Sequence, residues 1–159
     1  MQTENRTIMQ GDLETIVSLA ADVERWPVIL PHYRWVRLID GGGDEKLVEM
    51  AARRGRIPVR WQALQTIDRS DATPVSRYRH VRGVTRGMDV AWTFDPAPAG
   101  IGVRIDHEFD PPWPLVGGTV ADRVIGPHFV AAIAGQTLST IKQIVENRDG
   151  RFLPDGQLR

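Results

Sequence analysis

Two histidines occupy strand-like segments in which side chains alternate between an apolar and a polar face. His107 shares one face with Ile105 and Phe109, so we predict that it points into the interior. An imidazole, whose pKa is ordinarily near 6.5, can take up or return a proton at neutral pH. Such a group could remove a proton next to a carbonyl group and deliver one to oxygen. The alternative is a core histidine that is hydrogen-bonded to a neighbouring residue.

His80 lies on a second such segment, two positions after Tyr78. If Tyr78 faces inward, His80 does so too and Arg79 faces outward. A shift of the strand register by one residue would reverse this, turning His80 outward and Arg79 inward. The sequence leaves both arrangements open. The first supplies another acid–base group, and the second supplies a cation.

Further polar candidates are a tyrosine and a glutamine. Tyr33 could donate its hydroxyl to a substrate carbonyl at the mouth of a cavity, or it could pack beside a short helix. Gln65 faces the same way as Trp61 by strand alternation, and it could bond a ketone, a phenol or the backbone of a helix. The other candidates have large side chains that suit a flat aromatic ligand. The predicted ligand-binding residues are Trp61, Gln65, Tyr78, Met88, Trp92 and Phe109.

Positioning these side chains requires a sheet with one buried face and an element that covers it. Short segments with alternating apolar residues, separated by turns rich in Gly and Pro, predict seven antiparallel strands. The predicted strands are residues 4–9, 33–40, 46–54, 59–69, 75–81, 88–94 and 103–109.

Helical patterns lie between the first two predicted strands and at the C-terminal end. Asp12 is a plausible cap for a first helix that Trp26-Pro27 ends, and a second short turn over residues 28–30 follows. A long last helix begins at Thr119 or Asp122 and runs to about Arg148. Its apolar stripe consists of Val130, Ala134, Leu138, Ile141 and Val145.

These elements predict an α+β fold in which a curved seven-stranded antiparallel sheet wraps a long C-terminal helix, with two short helices after strand 1. Space left between sheet and helix forms a pocket for an apolar or aromatic ligand. We predict one domain over residues 1–148, followed by a flexible tail at 149–159.

Several segments carry a family resemblance. Residues 26–33 read WPVILPHY and resemble the W-P-x-x-x-x-x-Y element of polyketide cyclases and dehydratases, within the START/SRPBCC (helix-grip, Bet v 1-like) superfamily. Residues 79–81, 85–88 and 107–110 resemble its later strands, and residues 129–148 resemble its C-terminal helix. The resemblance implies the helix-grip fold and an enzyme that promotes aldol cyclisation or dehydration of a poly-β-ketone or aromatic precursor.

The resemblance also implies roles for residues. His107 would act as acid and base, with Tyr33 and His80 completing the catalytic set, and no metal or redox cofactor is implied. Aromatase/cyclases of this family usually carry an arginine two positions beyond a small residue. Here the small residue is Ala63 and the next inward position is Gln65, so the cation that would hold enolate charge is missing unless Arg79 faces inward. The alternative function is a non-catalytic carrier of a lipid, quinone or other hydrophobic molecule.

Composition excludes some functions. The chain has 159 residues, no cysteine and a formal net charge of zero. Without cysteine there is no disulfide framework, thiolate chemistry or zinc–cysteine site, and the overall charge balance does not favour nucleic acid or an anionic membrane. We find no signal peptide and no membrane-spanning apolar stretch, so we expect a cytoplasmic protein.

The outer face of the sheet offers two candidate partner surfaces. Outward Leu64 is a candidate for a homodimer contact. A basic face would be a solvated surface, an adaptor surface or a docking site for an acidic acyl carrier protein. Its predicted members are Arg53, Arg54, Arg56, Arg60, Arg77 and Arg79.

Overall fold

The computed structural model describes residues 1–110 and 127–148, which include a curved sheet of seven antiparallel strands. The strands are β1 (Gln2–Met9), β2 (Tyr33–Gly42), β3 (Glu45–Arg54), β4 (Ile57–Asp68), β5 (Val75–Gly83), β6 (Asp89–Ala97) and β7 (Gly100–Glu108). Their order in the sheet is β1-β7-β6-β5-β4-β3-β2. Strands β2 to β7 therefore form a meander, and β1 is the edge strand beside β7. This confirms the predicted sheet.

The helices are α1 (Leu13–Ala21), a 3-10 turn (Val23–Arg25), α2 (Trp26–Ile29) and α3 (Pro127–Arg148). Asp12 caps α1 as predicted, since its Oδ1 accepts the Thr15 N–H at 2.8 Å. The predicted end of α1 is wrong, because α1 stops at Ala21 and Pro27 lies in the first turn of α2. Proline is tolerated there because the first helical N–H groups have no partner within the helix.

The core lies between the sheet and α3. In β6 the alternating residues Val90, Trp92 and Phe94 are buried, as a sheet with one covered face requires. The apolar stripe predicted for α3, from Val130 to Val145, is buried along its whole length. The predicted helix start at Thr119 or Asp122 and the predicted tail at 149–159 lie outside the described residues.

The C-terminal end of α1 is buried against the sheet, where its last carbonyl groups need donors from outside the helix. Three side chains supply them. The Trp26 indole donates to the Leu19 carbonyl at 3.0 Å, the Tyr78 hydroxyl to Ala20 at 3.2 Å and the Gln65 amide to Ala21 at 2.7 Å. Because a buried carbonyl without a donor is unfavourable by about 1–3 kcal/mol, these bonds fix α1 to β4 and β5.

Candidate functional site

A cavity of about 80 Å³ lies between the sheet and α3. Its wall is largely aromatic and aliphatic, and it includes four residues predicted to bind a ligand: Trp61, Tyr78, Met88 and Trp92. Ligand sites for drug-sized molecules are usually about 300–1,000 Å³. In this conformation the cavity fits a small apolar group, and a longer substrate needs wall side chains to move.

Two predicted ligand-binding residues do not line the cavity among the described residues. Gln65 is 1% exposed, but its amide Nε2 donates to the Ala21 carbonyl and, at 3.1 Å, to the Tyr78 hydroxyl. Its side chain therefore holds α1, which is the structural alternative that the sequence left open. Phe109 is buried in the core beyond the end of β7, where its backbone pairs with that of Met1.

The structure resolves which residue of β5 faces inward. His80 lines the cavity, and Arg79 on the outer face forms an ion pair with Asp89. The His80 ring stacks on Trp61 with centroids 5.6 Å apart and 14° between the planes. No arginine therefore lines the cavity among the described residues.

A residue of the β5–β6 turn orients the His80 ring. His80 Nδ1 lies 2.7 Å from the Thr85 hydroxyl oxygen, and Thr85 also lines the cavity. Backbone bonds hold this turn, since His80 N–H donates to the Met88 carbonyl and Gly87 N–H donates to the His80 carbonyl, both at 2.9 Å. His80 Nε2 makes no hydrogen bond within the described residues, so it is free for a ligand.

His107 faces the same cavity from β7, two strands away from His80. Its Nδ1 is buried without a hydrogen-bond partner in the described structure, and so is the hydroxyl of Thr3, the residue paired with it on β1. Buried polar atoms usually have a partner. A bridging water or a polar ligand atom would satisfy both groups.

Both cavity histidines are neutral at physiological pH. Burial lowers the pKa of His107 to about 4. Burial, together with the charge that His107 would carry, lowers the pKa of His80 to about 3. Removing an imidazolium ion from water disfavours the charged form, and each ring therefore offers one N–H donor and one unprotonated nitrogen.

Tyr33, predicted to donate its hydroxyl at the mouth of the cavity, lines the cavity and is buried. It is 7% exposed and lines the cavity beside Trp26, with ring centroids 4.8 Å apart. Burial, reinforced by the nearby Tyr78, raises its pKa above the usual range, and the Thr137 hydroxyl offsets only part of this. Tyr33 therefore keeps its proton and can act only as a neutral hydrogen-bond group.

Sequence reasoning missed a polar pair at the edge of the cavity. His32 Nε2 lies 2.8 Å from the Thr137 hydroxyl, which donates to the Ile133 carbonyl at 2.9 Å. Thr137 must then accept from His32, so the proton of this neutral ring is on Nε2. Thr137 sits beside Leu138 on the apolar stripe of α3, and a hydroxyl at such a position was the signal available in the sequence.

Comparison with known proteins identifies the family. Residues 10–126 match the model of the family described as "Polyketide cyclase / dehydrase and lipid transport", which is more than half of the chain. The chain belongs to this family.

Individual relatives agree with this assignment. A protein of Streptomyces halstedii named "Putative polyketide cyclase" is 27% identical over 105 residues, covering 64% of this chain and 94% of its own. Two solved structures share the fold. The Zhui aromatase/cyclase from Streptomyces sp. R1128 has a TM-score of 0.69 at 15% identity, covering 95% of this chain and 94% of that one. A STAR-related lipid transfer protein from Xanthomonas axonopodis has a TM-score of 0.63 at 14% identity, covering 91% and 85%.

This member of the polyketide cyclase/dehydrase and lipid transport family has no cluster of three or more His, Cys, Asp or Glu residues suited to a metal ion within residues 1–110 and 127–148. In the same part of the chain, no helix is both long and apolar enough to cross a membrane. The polar side-chain groups on the described cavity wall are imidazoles, hydroxyls and the indole N–H groups of tryptophan.

Proposed function

We propose that the protein is a cyclase or dehydratase that acts on a poly-β-ketone or related aromatic precursor by acid–base chemistry in the cavity. The observation that supports this most strongly is the pair His80 and His107. Both rings are neutral, both face one apolar cavity, and each has a ring nitrogen without a partner in the described structure.

The two imidazoles fit complementary steps. One unprotonated nitrogen removes a proton from a carbon between two carbonyl groups, leaving an enolate whose carbon attacks a second carbonyl. The resulting alkoxide takes the proton back from the imidazolium ion. Dehydration follows when a neutral imidazole removes the remaining α-proton and an imidazolium N–H protonates the hydroxyl, which leaves as water as the carbon–carbon double bond forms. The Thr85 hydroxyl is compatible with both tautomers of His80. When Nδ1–H donates to Thr85, Nε2 is unprotonated and can act as a base; when Nδ1 accepts from Thr85, Nε2 carries the proton and can act as a donor.

The lowered pKa values shape this chemistry. An imidazole with a pKa of about 3 or 4 is a weak base toward an empty cavity. A developing enolate adds negative charge close by, and this raises the pKa of a neighbouring imidazole. Proton transfer is then favoured only when substrate is bound and its enolate forms. The apolar wall contributes further by holding a flexible chain in a reactive geometry.

The test compares three histidine variants. His107→Gln and His80→Gln should each lower the rate of cyclisation of a synthetic tri-β-keto thioester by about 10²–10⁴-fold, the usual effect of losing a general acid or base. His32→Gln is the matched control, because His32 is also buried but does not line the cavity. Product formation is followed by liquid chromatography and mass spectrometry. Full activity in both His107→Gln and His80→Gln would contradict the proposal.

A second candidate function is transport of a lipid, quinone or other hydrophobic molecule without turnover. It is favoured by the absence of an arginine from the described cavity wall, since no cation is present there to hold enolate charge. Native mass spectrometry of the purified protein distinguishes the two. A carrier retains an unchanged apolar ligand, and His107→Gln alters only its affinity.

We also propose that an acidic acyl carrier protein delivers the substrate. Two of the six arginines considered for this contact already form ion pairs with carboxylates of the protein. On the outer face of the sheet, Arg60 binds Glu49 at 2.7 Å and Arg79 binds Asp89, so Arg77 is the main cation that remains there. Arg77→Glu should weaken binding of a carrier protein in a pull-down if this face is used.

Self-association is a separate proposal. Leu64 is outward and 36% exposed on β4, and a homodimer across this face would cover it. Size-exclusion chromatography with light scattering measures the molar mass of the protein in solution. If the wild type is a dimer, Leu64→Asp should convert it to a monomer.

A further inference from the structure

One end of the molecule carries a group of unpaired arginines next to the cavity. They lie on two neighbouring turns, one between β3 and β4 and one between β5 and β6. We call them the arginine rim: Arg53, Arg54, Arg56, Arg82 and Arg86. The two turns share an end of the sheet because Gln62 of β4 pairs with Arg82 of β5. Thr85, between Arg82 and Arg86, lines the cavity, so the rim borders the site.

The rim concentrates positive charge that forms no ion pair within the described residues. All five arginines are exposed, and none makes a side-chain hydrogen bond or ion pair within the described structure. Residues 50–60 and 80–88 contain no acidic residue. Asp89, Glu108 and Asp110 share a surface depression with Arg86, so the positive potential is strongest on the β3–β4 turn.

An aliphatic side chain accompanies the arginines on each turn. Ile57 is 39% exposed beside Arg56, and Val84 is 38% exposed between Arg82 and Arg86. The β3–β4 turn is tight, with Arg54 paired to Ile57 and Gly55 at φ 58°. From the level of Trp61, where β4 pairs with Gly83, this hairpin extends four more residues, or about 13 Å. Ile57 therefore lies at the projecting end of the hairpin and Val84 lies nearer the sheet, each with arginines beside it.

We infer that the arginine rim docks the protein on an anionic lipid membrane, with Ile57 and Val84 entering the interface and the cavity facing the bilayer. Basic residues near an anionic membrane surface are attracted to it, and aliphatic or aromatic side chains anchor in its interfacial layer. An apolar cavity takes ligands that partition into bilayers, so docking by this end brings the cavity to their source. This inference does not depend on whether the cavity catalyses a reaction.

The shape of the rim favours a membrane over an acidic protein. A stable protein interface buries roughly 800 Å² on each partner around a well-packed apolar centre. Each turn instead offers one small aliphatic side chain flanked by arginines. Such a surface suits a fluid interface, which adapts to projecting side chains, better than a rigid partner.

The test is sedimentation with lipid vesicles. The wild-type protein should bind vesicles of phosphatidylcholine containing phosphatidylserine and not vesicles of phosphatidylcholine alone, and high salt should release it. Arg54→Glu/Arg56→Glu should weaken binding by at least about 30-fold, at roughly 1 kcal/mol for each basic residue near the surface. Ile57→Asn should weaken it too, without any change in charge.

A matched pair controls for net charge. Arg6→Glu/Arg25→Glu changes the charge by the same amount on β1 and the 3-10 turn, away from the rim, and should retain most of the binding. Circular dichroism checks that each variant is folded. The inference is overturned if the wild type ignores anionic vesicles, if the control pair loses as much binding as the rim pair, or if only an acidic protein binds the rim. Vesicle binding does not report turnover, so its failure leaves the acid–base proposal untouched.

Discussion

Acid should destabilise the protein strongly because three histidines are buried in the neutral form: His32, whose pKa burial lowers to about 4, and the two cavity histidines, His80 and His107. The pKa of His80 is about 3 and that of His107 about 4 in the folded protein, against about 6.5 in an unfolded chain. Since each folded pKa is depressed, the unfolded state binds protons first as pH falls. The stability linked to these two neutral groups is therefore fully present above about pH 6.5, and it is lost as pH falls below that value toward the folded pKa values.

The size of this effect is insensitive to the exact folded pKa. At about pH 5 both cavity histidines remain largely neutral in the folded protein, and each contributes about 1.4 kcal/mol for every pH unit below 6.5. Each histidine then lowers the free energy of unfolding by about 2 kcal/mol between pH 7 and pH 5, or about 4 kcal/mol together. This is a large part of the 5–15 kcal/mol that typically stabilises a folded domain.

Urea denaturation at several pH values measures the effect. Near pH 5 the free energy of unfolding of wild type should fall by about 1.4 kcal/mol per pH unit more than that of either His80→Gln or His107→Gln, because each substitution removes one titrating group. Met88→Leu is the control, because it alters the same cavity wall without removing a titrating group and should leave the slope unchanged. Equal slopes for wild type and both histidine variants would refute the neutral, buried state on which the proposed chemistry depends.

Two further predictions concern the frame around the cavity. Gln65→Met removes the donor to the last carbonyl of α1 and should lower the free energy of unfolding by about 1–3 kcal/mol; unchanged urea midpoints would show that the contact is dispensable. Gly83 has φ 93°, and a methyl group there would overlap the Arg60 carbonyl. Gly55 also has a positive φ but open space around it, so Gly55→Ala should lower the free energy of unfolding by roughly 1–2 kcal/mol. Gly83→Ala should lower it by more than this. Thermal melts of both variants compare them, and equal shifts would contradict the predicted overlap.

Much of the fold could be predicted because strand alternation is a local signal. The sequence places Met88, just before β6, on one face with Val90, Trp92 and Phe94 of β6, and all four are buried. A period of two residues follows from strand geometry alone. The end of α1 could not be predicted in the same way. Trp26-Pro27 looks like a stop signal, but a proline in the first turn of a helix is equally compatible with a start.

The polar part of the site depends on contacts between residues that are distant in sequence. Whether His80 faces inward depends on how β5 pairs with β4 and β6, and the sequence of a single strand does not specify that pairing. Gln65 reaches a carbonyl 44 residues earlier in the chain, so its use as a cap for α1 was not visible locally. His32 became recognisable as part of a polar pair only when α3 brought Thr137 beside it.

The central claim is that His80 and His107 move protons to and from a bound ketone. The most direct measurement is deuterium uptake at the α-carbons of 2-tetralone, a small bicyclic ketone that contains an aromatic ring, followed by proton NMR in D₂O. The account predicts faster uptake with the wild-type protein than in buffer, and loss of this acceleration in His107→Gln with binding of the ketone retained. Binding of 2-tetralone to the wild type without any acceleration of deuterium uptake would contradict the account and identify the protein as a carrier.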